Sequence, residues 1–515
     1  MELINIINLE GEKISENYDK FCEKHIKTVK FEDLDHDSRE KIWNNLFTRL
    51  QSDKYSAIHL KCLQVLKILS RDKKDLDIII TDERLNIILL KADLAAPILP
   101  PYTETTLEAV KLLCNLIYNS PSVQIQITKT DCLKNLVTRI SNYDPTVTNN
   151  IMLFDMRILF LITALNIPSR NICRNEYNGD KLLVDCLNNL SNRLSSSKEV
   201  VEVICELLKA LYNIYIDAEE TTKEQSETNK RLVKILYRLL TLEDVKKLDS
   251  KELQSGIADL LVVIPYTSHG SLVPRISPEN KSSEVFEDSD MSAIWELVKY
   301  LNECLNSREN LVKNTLPAVS ALLKLAKNNR CIRKYARLKV LPPLKDVMKR
   351  PEEGTTLRAK LCKLLTFPIM ELRVAISEFL FVLCKKNVGR MIKYTGFGNA
   401  AGMLANKGLL GGNQPETNYS SESGESDTEE YAKYKENINP VTGCYENPKP
   451  SPLEGMTEEQ KEYEAMKLVN LVNKLSCDGI IKPCTVGEDG KPKPIEHVFE
   501  LQKGLNLPKN DSDED

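Results

Sequence analysis

Three pairs of polar residues stand four apart inside otherwise apolar helical runs: Lys67 with Arg71, Lys111 with Asn115, and Lys209 with Asn213. Residues at that spacing share one helix face. Groups of this kind bind rather than transform. An asparagine amide can hydrogen-bond a peptide backbone, and lysine or arginine can hold a carboxylate. Motifs for bond-making chemistry are missing. No GxxxxGK[ST] phosphate cradle, GxSxG elbow or HExxH zinc motif occurs. Gly396, Gly398 and Gly402 have the wrong spacing for a nucleotide loop and follow a helical run, so they read as a turn or helix cap. His25, His36, His59, His269 and His497 are too dispersed for a metal cluster. No catalytic residue, cofactor or metal is expected.

The elements that must position these pairs repeat. LLCNLIYN, LITALNIP, ALYNIYID and LLVVIPYT align on Asn115, Ala164, Asn213 and Val263, at steps of 49, 49 and 50 residues. An earlier copy, LKILSRDK, is centred on Ser70, and looser ones lie near Leu323 and Val382. A helical period near fifty marks a stacked array in which each unit buries its apolar face on the next. A second helical stretch precedes each copy, as in TETTLEAVKLLCNL, where Thr103 can cap a helix whose Leu107, Val110, Leu113 and Cys114 share one face. The fold expected is all-α, an armadillo/HEAT-type superhelical repeat array, followed by a mostly disordered tail that contains one amphipathic helix.

Composition agrees. A chain of 515 residues exceeds one compact core, and apolar residues at 42% suffice for a continuous stack. A net charge of −4 gives the whole molecule no general attraction to nucleic acid or anionic membrane. The first twenty residues carry charges where a secretory leader needs an apolar run, and no stretch reaches the roughly 18 apolar residues of a membrane span. Fourteen scattered cysteines without CxxC pairs read as reduced, buried thiols. A cytoplasmic monomer is expected.

Residues 1–410 read as the repeat domain, with a Ser- and Pro-rich loop at 266–290. Residues 411–455 read as an acidic linker, 456–476 as an amphipathic helix, and 477–515 as a flexible end. In the helix, Thr457 and Gln460 have capping-box spacing, and Tyr463, Met466, Val469 and Val472 recur at about helical period. Its stripe must fold back on the array or dock on a partner. Two charged segments complete the reading. Residues 324–350 hold ten cations, including Lys345, Lys349 and Arg350, against Asp346 alone. Such an excess is expected to face water or an anion. Residues 416–430 hold six acids and no base, and Ser426 has Glu429 at +3, the spacing of an acid-directed kinase. A phosphate there adds about −1.5 to −2 charges.

VLPPLKDVMKRPE, EFLFVLCKKNVGRMIKYTGFGNAAGMLANKGLLGG, SDTEEY, NPVTG and EGMTEEQKEYEAMKLVNLVNKLS resemble the synembryn family, and the likeness extends back to LKILSRDK, LLCNLIYNSP, FDMRILFLITAL and LKALYNIYID. The resemblance implies a cytosolic chaperone and guanine-nucleotide exchange factor for heterotrimeric G-protein α subunits. In such a protein a concave face grips the C-terminal helix of Gα, and the tail helix reaches its nucleotide-binding domain. Carried over, the groove residues are Lys67, Arg71, Asn115 and Phe154, with Tyr212 and Asn213 nearby. Tyr463, Met466, Val469 and Val472 become the tail contact. Ser421 and Ser426 fall at the family's acid-directed phosphosites, although Ser421 has Gly424 at +3. An acid-directed protein kinase is thereby a second partner, and Gα the means of recruitment to the inner plasma membrane or cell cortex. The alternative is an armadillo-type peptide scaffold without exchange activity, whose mark would be repeated Trp and Asn on the inner helices. Only Trp43 and Trp295 occur, both outside the ladder. A nucleic-acid-binding solenoid, resting on the basic stretch alone, comes third; it lacks interleaved aromatics.

Overall fold

The computed structural model describes residues 13–97, 101–194, 197–216, 218–219, 222–243, 251–276, 284–307, 310–411, 427–447 and 453–495. They form helices joined by short turns, with three two-stranded antiparallel hairpins. The chain divides into two units, residues 1–283 and 284–515.

The repeat found in the sequence is the spine of the first unit. Helices α1 (His59–Leu69), α2 (Glu104–Asn119), α3 (Asn149–Leu165), α4 (Lys198–Tyr215) and α5 (Lys251–Val263) pack each on the next. The apolar motif is the C-terminal half of each. Local chemistry sets the boundaries. Thr103 caps α2 reciprocally with Thr106, and Ser120, where α2 ends, caps the following helix, which begins with Pro121. A second row runs beside the first, with Cys132–Ser141 on Gly179–Asn192, Gly179–Asn192 on Lys223–Thr241, and Lys223–Thr241 on a short turn of helix, Tyr266–Leu272. Leu112, Leu116, Ile158, Leu207 and Leu211 on α2, α3 and α4 are fully buried. At full burial each contributes about 1.5–3 kcal/mol relative to exposure.

One ion pair ties the rows together. Arg139, on the second row, bonds Asp155 of α3 with both side chains almost inaccessible. Tyr143 donates to the same carboxylate at 2.8 Å, and Arg139 Nη1 donates to the Ala92 carbonyl at 2.8 Å. A buried pair persists only with such extra hydrogen bonds.

The second unit continues with α6 (Ser292–Asn306), α7 (Leu311–Asn328), α8 (Arg330–Val340), α9 (Met370–Leu383), α10 (Val388–Thr395) and α11 (Phe397–Asn406). The core is built by α7 against α6 and α9. Parts of the expected loop at 266–290 have structure. Ser268, His269 and Leu272 are buried in the first unit, and in the second a hairpin pairs Val285 with Asp290.

Residues 427–447 read as linker, yet they pack on the second unit. Tyr431 and Cys444 are buried. Thr428 donates to the Leu344 carbonyl and Tyr445 N to the Val347 carbonyl at 2.7 Å. The Pro440 and Val441 carbonyls accept from Phe397 N at 2.8 Å and Gly398 N at 2.9 Å, closing two open donors of the first turn of α11. Few apolar residues are needed for this, because backbone groups make the contacts. Beyond it lies α12 (Glu458–Cys477), opened by a capping box between Thr457 and Gln460, and then a hairpin pairing Cys484–Val486 with Pro492–Pro494.

Candidate functional site

A line of alternating charge crosses the first row of helices. Lys67 on α1 donates to Glu108 on α2 at 2.5 Å, and Lys111, one turn along α2, donates to the other carboxylate oxygen at 2.7 Å. Burial pushes the Glu108 carboxyl upward, but the two ammonium groups outweigh it and hold it below the usual range. Phe154 of α3 comes next, its ring centre 5.6 Å from Lys111 Nζ and 5.1 Å from the Arg157 guanidinium carbon. Arg157 donates to Glu206 of α4 at 3.1 Å, and Lys209 to Glu206 at 3.3 Å and to Glu252 of α5 at 2.7 Å. The five helices of the row are thereby bridged in turn, with Glu108 and Glu206 buried and Glu252 exposed. Lysine has three donors, of which Glu108 takes one from each of Lys67 and Lys111. The row can therefore still accept a carboxylate or carbonyl laid across it.

The asparagines do something other than their spacing suggests. Asn115 Nδ2 donates backward to the Lys67 carbonyl at 3.0 Å and Ser70 Oγ at 3.1 Å, and Asn213 Nδ2 to the Phe160 carbonyl and Thr163 Oγ1, both at 3.1 Å. These amides fasten one repeat to the one before. Arg71 likewise donates to the Ile26 carbonyl at 2.7 Å, pinning the turn after helix Lys13–Lys24. Tyr212 is half-buried beside Asn213, which is buried. Of the six groove residues read from the sequence, Lys67 and Phe154 lie in the charged line, and Arg71, Asn115 and Asn213 hold the scaffold. Glu108, Arg157 and Glu206 were missed. Their signal was present, since Arg157 and Glu206 are 49 residues apart, one repeat.

The basic stretch of the second unit is only partly free to meet an anion. Arg333 is buried, its Nη1 donating to the Ala326 carbonyl at 2.9 Å, and Lys334 and Lys339 pair with Glu287 and Glu284 at 2.7 and 2.9 Å. This corrects the expectation that the whole excess faces outward. Lys345, Lys349 and Arg350 do face outward, on irregular chain. The tertiary fold adds cations from elsewhere. Burial depresses the Lys385 ammonium, and the charges of Arg390, Arg337, Lys334 and Arg333 depress it further. Lys393 binds Asp427 at 2.6 Å and lies 4.3 Å from the Tyr431 ring centre. Lys393 first, then Lys435 at 3.0 Å, hold the Asp427 carboxyl below its ordinary range. Ser421 and Ser426 lie outside the described residues.

Residues 62–491 match the family model described as guanine nucleotide exchange factor synembryn. The chain belongs to the synembryn family. Curated relatives agree along nearly their whole length. "Chaperone Ric-8" of Drosophila melanogaster is 33% identical, covering 96% of each chain. "Chaperone Ric-8A" of Danio rerio is 35% identical over 93% of this chain and 92% of its own, and that of Rattus norvegicus 34% identical over 98% of each.

In this synembryn the tail helix α12 has no buried residue. Tyr463 is 69% exposed, Met466 62%, Leu468 61%, Leu471 53% and Val469 42%, while Val472 is half-buried. Leu468 and Leu471 widen the stripe read from the sequence. Among the described residues, no helix is long and apolar enough to cross a membrane.

Proposed function

We propose that this synembryn is an exchange factor and folding chaperone for heterotrimeric G-protein α subunits, doing no bond chemistry itself. The observation that carries the reading is the line from Lys67 through Phe154 and Lys209 to Glu252, an amphipathic strip on five packed helices with lysine donors and an aromatic face. It suits the C-terminal helix of Gα, whose terminal carboxylate and apolar side chains would meet cations and Phe154 respectively. Drawing that helix away would loosen the GDP pocket, and the empty form would be held until GTP binds. Only differential affinity can do this: nucleotide-free Gα must bind more tightly than the GDP form. Speeding release roughly a thousandfold requires about 4 kcal/mol off the barrier.

The uncovered apolar face of α12 supplies a second contact, made by Tyr463, Met466, Val469 and Val472. Two linked contacts raise the effective concentration of each for the other. Phosphorylation of Ser426, and of Ser421, by an acid-directed kinase would add charge immediately before Asp427, which already rests on Lys393 and Lys435. Lys345, Lys349 and Arg350, which face outward, are the receiving surface.

The test measures GDP release from purified Gα and binding of its C-terminal peptide. Phe154→Ala and Lys67→Ala should each weaken peptide binding and slow release. Equal peptide binding by wild type and the double variant would sink the groove assignment.

A further inference from the structure

Both flanks of α12 are fastened, and to opposite ends of a single short helix. On the N-terminal side, the Pro440 and Val441 carbonyls cap the start of α11. On the C-terminal side, the hairpin 484–494 seats on residues 408–411, immediately past the end of α11. That second seat is a contact between two glycines. Leu410 N donates to the Gly490 carbonyl at 3.2 Å. A Cβ on Gly490 would overlap the Gly408 carbonyl oxygen, and a Cβ on Gly408 would overlap the Asp489 carbonyl oxygen. Each residue also has a left-handed φ of 69°. A β-carbon at either place must push the hairpin off.

The dimensions allow the strap to close. At 1.5 Å per residue α11 is about 15 Å long and α12 about 30 Å. Six residues, 478–483, join α12 to its hairpin and reach at most about 20 Å. The six-residue join to the seated hairpin therefore restrains the C-terminal end of α12 more closely than the longer connection, residues 442–457, restrains its start. The hairpin side chains themselves are exposed, so the Gly408–Gly490 approach and the Leu410 hydrogen bond carry the seat.

We infer that Gly408 and Gly490 are positioning residues: they form a backbone clip that holds the C-terminal end of α12 and presents its apolar face to Gα. This rests on the reading of α12 as the second Gα contact. Releasing one end of a strap lowers the local concentration of the helix at its target, an effect of about three- to tenfold when the other end remains tied.

Gly479 provides the matched control. Its φ is 70°, but nothing lies within 4 Å of the place a Cβ would occupy. Gly490→Ala and Gly479→Ala therefore carry similar backbone strain and differ in the clash. Gly408→Ala attacks the clip from the other side and leaves the hairpin turn untouched. In the full chain, amide hydrogen exchange at 408–411 and 484–494 should quicken in Gly408→Ala and Gly490→Ala and stay at the wild-type rate in Gly479→Ala. Gα GDP release should fall about three- to tenfold in the first two, with binding of the Gα C-terminal peptide unchanged. Unaltered exchange in both clip variants would overturn the clip. Faster exchange with wild-type GDP release would overturn its positioning role. Met466→Ser/Leu471→Ser separately tests the parent reading: if it leaves GDP release unchanged, α12 is not the contact, whatever the clip variants show.

Discussion

The row α1–α5 and the helix α12 are both amphipathic, but they treat their special groups in opposite ways. In the row, amides, carboxylates and ammonium groups are matched to the neighbouring helix, so the surface is already arranged before a partner arrives. On α12 five large apolar side chains stand in water. The first arrangement lowers the ordering cost of binding, and the second stores unburied area for it. A protein that must hold a partly opened partner gains from having one rigid contact and one that is completed only on binding.

The largest effect is expected from breaking the rigidity of the row. Asp155→Ala leaves Arg139 buried without its counter-ion, which should lower unfolding free energy by about 3–5 kcal/mol in a denaturant titration. Asn213→Ala strips two interhelical hydrogen bonds, to the Phe160 carbonyl and to the Thr163 hydroxyl, which keeps only its donation within α3. A loss of about 2 kcal/mol is expected by the same measurement, with little change in the far-UV spectrum.

On α12 the balance should reverse. Met466→Ser/Leu471→Ser should shift unfolding by less than about 0.5 kcal/mol, because both side chains are already exposed. Its Gα exchange rate should fall about tenfold, equivalent to about 1.4 kcal/mol. A stability loss comparable to that of Asn213→Ala would show that α12 is packed on the array after all.

A pH-dependent effect comes from an exception inside the row. Asp259 on α5 is half-buried, and burial pushes its carboxyl up to about 6 with no compensating cation. The folded protein therefore keeps this proton up to about pH 6, whereas the unfolded chain releases it near 3.8. The stability this group confers is present below the lower value and is lost as pH rises from about 4 to 6. Melting curves of Asp259→Asn and wild type should diverge across that window, the variant becoming relatively more stable, and run parallel above it.

The array was legible because burial of one face on the next repeat imposes a period that survives divergence of the intervening residues. Thr103, Thr457 and Gln460 announced their helix starts because capping is local chemistry. What was not legible was the use made of side chains across repeats. Nothing in the spacing of Lys111 and Asn115 distinguishes an ammonium group facing outward from an amide turned back on the Lys67 carbonyl. The packing of 427–447 was invisible for a related reason: its contacts are mostly backbone hydrogen bonds and two buried side chains, Tyr431 and Cys444. The cations around Lys385 come from α8, α10 and the turn before α10, so no window of sequence contains them.

The thiols carry a practical consequence. Ten of the fourteen cysteines are buried, and those at 62, 132, 173, 186, 362 and 384 are pushed up to about 12, far from the thiolate that reacts with alkylating dyes. Cys477 and Cys484 alone are exposed, at the last residue of α12 and the first of the hairpin that secures it. A maleimide fluorophore added to the unaltered protein would therefore mark the strap in preference to the array, and its anisotropy would report directly whether that strap tightens when a GTPase is added.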